Sequence, residues 1–492
     1  MNKSLLLTLV FTTFIALNTQ AQSTNPGEGR TFSLQETIEL AKDQSPLSRT
    51  ARYSLQASRW RYQSFRADLL PELRATGNAP NYRRTFREFF DQTGNTQFIY
   101  SQQSNASLEL SIDQPIVYTG GSLSLSTGMT RLGIFQNENT YLWSSSPLVI
   151  GYRQPLFQFN NLKWQRRLEP LRLQIAQKQY VEAIENLSLT VTQRYFDVVL
   201  AKINLDIAEF NVSVNDSIYN ISQGRFNVGN IAENDLLQSE LALLNSEASL
   251  TSARINYDQQ LKSFRLLLGL DADTPYEIEV PDEIPIVDVN MNTAMEMALL
   301  NSSTSLSYRV AELEAQRNLD QAVKQSAFSG VVQANLGFNQ TSETLADAYK
   351  DPLDQQFVTL SFQVPIFNWG KQRANVNAAR NTQRQVQDDI NYQQDQFELQ
   401  IQNVVNEFLQ LRQQALLSAK SDTIAQRRYE SALNRYRVGR IDITNLFIAQ
   451  NERDAARRSY IQSLRNYWIS LYSLRRLTLY DFENDQMIMY DI

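Results

Sequence analysis

"RYRVGRIDITNLF", residues 435–447, interrupts two long segments rich in helix formers, and "RFNVGNIAENDLL", residues 225–237, does the same 210 residues earlier. At that constant offset Arg225 meets Arg435, Phe226 meets Tyr436, and Val228-Gly229 meets Val438-Gly439. Ile231 meets Ile441, Leu236 meets Leu446, Tyr257 meets Tyr467 and Arg265 meets Arg475. The same offset pairs "QPLF" (154–157) with "VPIF" (364–367). Two motifs held in one register over about 70 residues make the chain a tandem duplication. A glycine at each break supplies the left-handed conformation on which helices commonly end.

Each copy reads in the same order. A helix comes first, over about 33–68 and about 291–326, where Ala, Leu, Gln, Glu and Arg dominate. Segments with period-two alternation follow: "SLELSID" (107–113), "SLSLSTGM" (122–129) and "FVTLSFQVPIF" (357–367). The last sets Val358, Leu360, Phe362, Val364 and Ile366 on one face and Phe357, Thr359, Ser361 and Gln363 on the other. One apolar and one polar face suits a strand between lipid and water, and equally a half-buried soluble strand. After each Pro-Leu/Ile-Phe comes a long helical run, about 160–222 and about 370–434, interrupted by no proline except Pro170. At 1.5 Å per residue such runs reach roughly 95 Å, far beyond a globular helix. The Val-Gly breaks then lead into return helices at about 232–268 and about 442–477. Leu399, Val404, Val405, Phe408 and Leu411 recur at helical spacing, which calls for packing against neighbouring helices.

Composition narrows the function. The 492 residues include no Cys and no His, which removes thiol nucleophiles, Cys/His zinc sites and imidazole acid–base chemistry. No convergent acid pair or Gly-rich nucleophile loop appears, so the chain does not read as an enzyme, and no cofactor or metal site is expected. A net charge of −6 without a long basic run argues against nucleic acid as a partner. "MNKSLLLTLVFTTFIALNTQAQS" has the lysine, the apolar run and the small residues of a secretory signal over 1–21, and the absence of Cys rules out a thioether-linked lipid anchor. No later segment offers about 20 consecutive apolar residues, so a place in a membrane requires a closed β-barrel. Short hairpin strands are too few to close one from a single chain, so oligomerisation must complete it.

The expected fold class is therefore mostly α with a β-barrel portion: a tandem-duplicated long-helix protomer plus transmembrane strands, its barrel completed by oligomerisation. The first repeat spans 22–270, with strands at about 71–157. A linker at 271–290, a second repeat at 291–480 and a tail at 481–492 follow. A secreted or periplasmic structural coiled coil without channel activity is the rival reading; it predicts sustained heptads without barrel strands or tip glycines.

The duplicated "RFNVGNIAENDLLQSEL" (225–241) and "RYRVGRIDITNLFIAQNE" (435–452) resemble the TolC-type outer-membrane channel and efflux proteins, as do the junctions "QPLF" and "VPIFNWGKQRANVNAAR" (364–380). The resemblance covers nearly the whole chain after the signal segment. It implies a homotrimer in the bacterial outer membrane, held among its lipids, with a long periplasmic helical tunnel. It further implies passive export of small molecules or proteins, as the exit duct of a tripartite efflux pump or a type I secretion system. The implied partners are a periplasmic adaptor (a membrane fusion protein) and an inner-membrane transporter of RND, ABC or MFS type. Arg225, Phe226, Val228, Gly229, Arg435, Tyr436, Val438 and Gly439 then form the adaptor-docking tips.

Two departures from the family pattern stand out. The family often carries Asp six residues after the tip glycine, and in the second repeat a further Asp three residues on. Here Asp235 keeps the first, whereas Asn445 and Ile448 replace the other two. The gate candidates are thus Asp235, Arg440, Asp442, Asn445 and Ile448; Arg440 and Asp442 are candidates for interchain pairs or simply solvated helix-end charges. Second, the leading helices align at an offset of 257 (Ala41 with Ala298), so about 47 extra residues lie in the first copy's strand region. "ASLELSIDQPIVYTGGSLSLSTGMTRLGIF" (106–135), with part of the following loop, is the candidate insertion, an extra hairpin turning at Thr119-Gly120-Gly121. It is expected either to widen the barrel beyond the family's usual four strands per chain or to fold over its mouth. Phe86, Phe89, Phe90, Tyr100, Tyr141 and Trp143 flank it as candidates for an interfacial girdle or a surface loop.

Overall fold

A computed structural model of the chain describes residues 31–90, 96–135, 138–271, 276–281, 284–285 and 287–490. The signal segment 1–21 lies outside these residues, as do the side chains of Phe89 and Phe90. Two helices of 67 residues each, α3 (Asn161–Asn227) and α7 (Lys371–Arg437), run the length of the helical body, about 100 Å at helical rise. Each returns through a helix of 36 residues, α4 (Glu233–Leu268) and α8 (Ile443–Thr478).

The leading helices depart from the sequence reading. Each is two helices: α1 (Leu34–Gln44) and α2 (Pro46–Ala67) in the first copy, α5 (Met291–Asn301) and α6 (Ser303–Ser326) in the second. Ser45 precedes Pro46, whose ring disfavours helical backbone at the residue before it, and Ser45 is extended (φ −59°, ψ 139°). Its hydroxyl accepts from the Leu47 amide at 3.3 Å and donates to the Leu267 carbonyl at the end of α4, 2.8 Å. The second break has no proline. There Glu182 of α3 caps the new helix from outside, accepting from the Ser303 amide (2.7 Å) and hydroxyl (2.8 Å).

The strands also differ from expectation, being long. One antiparallel sheet runs β2 (Glu72–Phe90), β3 (Thr96–Ile116), β4 (Gly121–Phe135), β5 (Asn139–Leu156), β7 (Ser329–Ser342), β8 (Leu353–Gln363) in that spatial order. The outer parts of β2 and β3 carry Asn, Arg, Gln and Ser on both faces, which erases the alternation that reveals a strand in sequence. β8 stops at Gln363, short of the expected residue 367, because Pro365 has no amide to donate. A short parallel pair, β1 (Thr31–Phe32) with β6 (Glu277–Ile278), ties the described part of the linker to the chain's beginning. The hairpin β9 (Tyr480–Asp481) and β10 (Gln486–Met487) occupies the tail.

Cross-strand register sorts the sheet into two faces. Leu110 and Ile112 on β3, Leu125 on β4, Ile150 on β5, Leu336 on β7 and Val358, Leu360 and Phe362 on β8 share one face, all solvent-exposed in the single chain. The opposite face carries Glu109, Ser111, Asp113, Ser124, Ser126 and Asn335. Leu73 of β2, opposite Ile112, extends this apolar band across all six strands, and among the described residues no core covers it. On the apolar side the Arg131 guanidinium lies 4.3 Å from the Tyr141 ring and 5.5 Å from the Trp143 ring, as at a membrane–water boundary.

The buried core sits at the waist, where the broken helices end. Leu34, Ile38 and Ala41 of α1 pack with Tyr195, Phe196 and Val199 of α3 and with Phe264 and Leu268 of α4. The second copy builds its counterpart from Ala294 and Ala298 of α5, Ile401, Val405 and Phe408 of α7, and Leu471 and Leu474 of α8. Val405 and Phe408 are thus buried as the spacing predicts, while Leu399 faces outward. Below the waist the helices lie side by side as α4, α3, α8, α7; above it as α2, α3, α6, α7. α7 is an edge throughout, and α4 and α2 form the other edge.

Candidate functional site

Both tip turns close in the same way. The Gly229 amide donates to the Phe226 carbonyl (2.8 Å) and the Asn230 amide to the Arg225 carbonyl (2.9 Å); Gly439 and Arg440 repeat this with Tyr436 and Arg435, both at 2.9 Å. This paired ending satisfies helix carbonyls that otherwise lack partners, and it requires positive φ at the residue just past the C-cap. Gly229 and Gly439 have φ of +74° and +73°, and nothing lies within 4 Å of where a Cβ would stand on either. The glycines serve backbone conformation, and the space beside them is open. Val228 and Val438 beside them are about two-thirds exposed.

The fold brings the two tips together. Arg225 reaches across to donate to the Tyr436 carbonyl (3.1 Å) and the Arg437 carbonyl (3.3 Å), with its guanidinium 5.0 Å from the Tyr436 ring. Tyr436 is buried, and its hydroxyl shares a hydrogen bond of 3.1 Å with Ser222. Arg225 and Tyr436 therefore bind tip to tip within the chain, whereas Phe226, Val228, Arg435 and Val438 remain exposed. Ile218, Tyr429, Ile443 and Leu446 fill the space behind them.

One groove between the tips is lined by Asp235, Arg440, Asp442 and Asn445, together with Arg225 and Arg437. Asp442 is the N-cap of α8: one carboxylate oxygen accepts from the Asn445 amide (2.8 Å) and the other from the Asn445 side chain (3.1 Å). Both oxygens are occupied by its own helix, the ordinary work of an N-cap Asp. The first copy has Ala232 at that position, with Glu233 and Asp235 in the first turn of α4, where the helix dipole favours negative charge. Ile448 lies one turn above and is partly exposed at 44%.

Sequence reading missed a second constellation higher up. Arg453 is 7% exposed, and its guanidinium lies between the rings of Phe210 (4.3 Å) and Tyr429 (4.4 Å). Its Nε donates to Asp454 Oδ1 at 2.8 Å and its Nη2 to Asn211 Oδ1 at 3.1 Å. Asn211 in turn donates to Asp454 Oδ2 (2.7 Å) and accepts from Gln450 (2.8 Å), while Asn215 donates to the Ala242 carbonyl (3.3 Å). All four lower helices meet in this buried polar knot. The available signal was Asn211 and Asn215 one turn apart on the core face of α3.

The arrangement thus joins a tall helical body to a membrane-type sheet, with paired tips at the far end. The family model described as outer membrane efflux protein matches residues 101–270 and 296–478. The chain belongs to the outer membrane efflux protein family. Among solved structures, this efflux-family chain is similar to the Campylobacter jejuni CmeC outer membrane channel, with 16% identity, TM-score 0.66, and coverage of 93% of this chain and 87% of that one. A membrane protein from Pseudomonas aeruginosa matches at 15% identity, TM-score 0.66, covering 90% of each chain. The Vibrio cholerae outer membrane protein VceC matches at 14% identity, TM-score 0.63, covering 91% of this chain and 95% of that one. At these identities the structural likeness concerns the fold. No curated protein sequence matches the chain. The family is one of outer-membrane efflux channels, a family of transport proteins and not of enzymes.

Proposed function

We propose that three copies of this efflux-family chain form a passive duct from the periplasm to the exterior, coupled at its tips to a periplasmic adaptor and an inner-membrane transporter of RND, ABC or MFS type. The carrying observation is that, among the described residues, both edges of the chain lack partners from top to bottom. At one edge β2 and α4 are open, and Leu237, Leu241 and Leu244 form an exposed apolar stripe on α4. At the other, β8 and α7 are open, with Leu409, Leu416, Leu417 and Ile424 exposed. β2 leads away from the helical body and β8 returns to it, so the two edges meet antiparallel when a second copy is placed alongside. Ring closure then buries apolar stripes and removes sheet edges together.

Fractionation tests the reading: the protein is expected in the outer membrane as a detergent-resistant trimer, and a soluble monomer refutes it. Ile150→Arg, at the centre of the apolar band, is expected to destabilise the assembly by about 2–4 kcal/mol, read as a lower urea midpoint or lost outer-membrane trimer. Ser126→Arg, on the polar face, is expected to leave both readouts nearly unchanged.

The tips test the coupling. Replacing Gly229 and Gly439 together with valine forces a β-branched residue to positive φ, about 1–2 kcal/mol of strain at each turn. Because both turns are exposed, trimers are expected to assemble while export through the adaptor falls. Unchanged export from this double variant removes the docking assignment.

A further inference from the structure

The inserted hairpin is part of the sheet, and this bears on the bore of the duct. β3 and β4 lie between β2 and β5: β4 pairs with both neighbours over nearly its whole length, and β3 pairs with β2 over most of its length and with β4 over Gln103–Ile116. Their turn at 117–120, where Gly120 has φ +75°, is fastened to the junction between sheet and helices. The Asn160 side chain, which caps α3, donates to the Val117 carbonyl at 2.8 Å, and Gln154 donates to the Thr119 carbonyl at 3.1 Å. On the other side Gln114 donates to the Leu69 carbonyl just after α2, 3.0 Å. Tyr118 packs under the Arg166 guanidinium of α3, 5.0 Å from the ring centroid. The turn is thus wedged into the rim between the helices that enter and leave the sheet.

The two faces of the hairpin continue those of its neighbours. Leu110 and Leu125 lie in the apolar band, and Ser111 and Ser126, which pair directly, lie on the polar side. A hairpin folded over the mouth needs no such continuity.

We infer that the trimer closes an eighteen-stranded barrel, three sheets of six strands, whose bore matches the helical tunnel and admits cargo as broad as the tunnel itself. Strands about 4.8 Å apart and tilted about 40° give eighteen strands a perimeter of about 110–115 Å. Twelve helices, four from each chain at any level, packed at about 8–10 Å have a perimeter of about 95–120 Å. Twelve strands, the outcome if the hairpin stood outside the wall, give only about 75 Å and force the wall inward at the membrane. The wider barrel is about 36 Å across between backbones against about 24 Å for the narrower one, a cross-section larger by about 2.2-fold.

The inference rests on the trimeric reading, and its test separates the two. The chain has no native cysteine, so single cysteines report alone. In cells displaying the trimer, a membrane-impermeant thiol reagent added outside is expected to label Ser111→Cys and Ser126→Cys and to spare Leu110→Cys and Leu125→Cys. Electron cryomicroscopy of the native trimer in lipid nanodiscs is expected to show eighteen strands in cross-section. Equal labelling of all four positions, or trimers with a twelve-stranded wall, overturns the wide barrel and leaves the trimeric duct standing. A soluble monomer overturns both.

Discussion

Arg475→Leu is expected to destabilise the folded chain by about 3–5 kcal/mol, the loss typical when one partner is removed from a buried ion pair. Glu185 of α3 has no exposed surface, and its carboxylate is held by Arg475 Nε at 3.4 Å and by the Tyr490 hydroxyl. Arg475 also pairs through Nη1 with Asp481 Oδ2 at 2.9 Å, so one guanidinium neutralises two carboxylates from different parts of the chain. Burial, with the Glu185 charge beside it, pushes the Tyr490 hydroxyl pKa upward, which keeps it a donor. Removing Arg475 leaves Glu185 buried beside a single neutral donor. The urea midpoint of the detergent-solubilised protein reads the effect. Arg475→Lys is expected to lose less, and adding Glu185→Gln to Arg475→Leu is expected to recover part of the loss, because the two groups are coupled. A loss under about 1 kcal/mol contradicts this account.

Arg453→Ala is the second large effect expected, again about 3–5 kcal/mol. Here the guanidinium serves as both charge and plate: it forks onto Asp454 and Asn211 while stacked between Phe210 and Tyr429. Alanine leaves the Asp454 carboxylate, 4% exposed, with only an amide for company, and it opens a gap between two rings. Lysine keeps the charge and loses the planar fork, so Arg453→Lys is expected to be substantially destabilising as well. Limited proteolysis localises the effect: cleavage is expected to rise in α4 and α8 below the waist and to stay unchanged in the sheet. Cleavage confined to the sheet contradicts the assignment of this knot to the lower helices.

The large-scale order of the fold was legible because it is periodic. The 210-residue offset fixed the tip turns, and the glycines there have the positive φ that their type implies. The ends of the long helices fell within a few residues of the spacing-based bounds. The break at Ser302 was hidden because its cause lies elsewhere in the chain: Glu182, 121 residues away, caps α6. The break at Ser45 has a local cause, Pro46, which the helix-forming composition around it outweighed. Strand length was hidden where lumen and exterior are both wet, since period two disappears when neither face needs apolar residues. The tip motif by its resemblance implies one docking surface, and geometry divides it. Arg225 and Tyr436 hold the turns together, which no single-residue pattern reveals, because their meeting depends on two helices descending side by side. Asp442 was legible as a candidate, yet its engagement with Asn445 depends on where the helix begins, and boundaries are the least certain product of propensity.

The inserted hairpin also bears on how such a duct changes size. Two added strands leave the outermost strands running in opposite directions, so the seam between copies and the entry into every helix stay as they were. With threefold symmetry, width is then quantised: it grows by six strands at a time, with no intermediate value. Lineages of this architecture are therefore expected to differ in portal size by jumps, each made by a single duplicated hairpin and each compatible with an unaltered helical body.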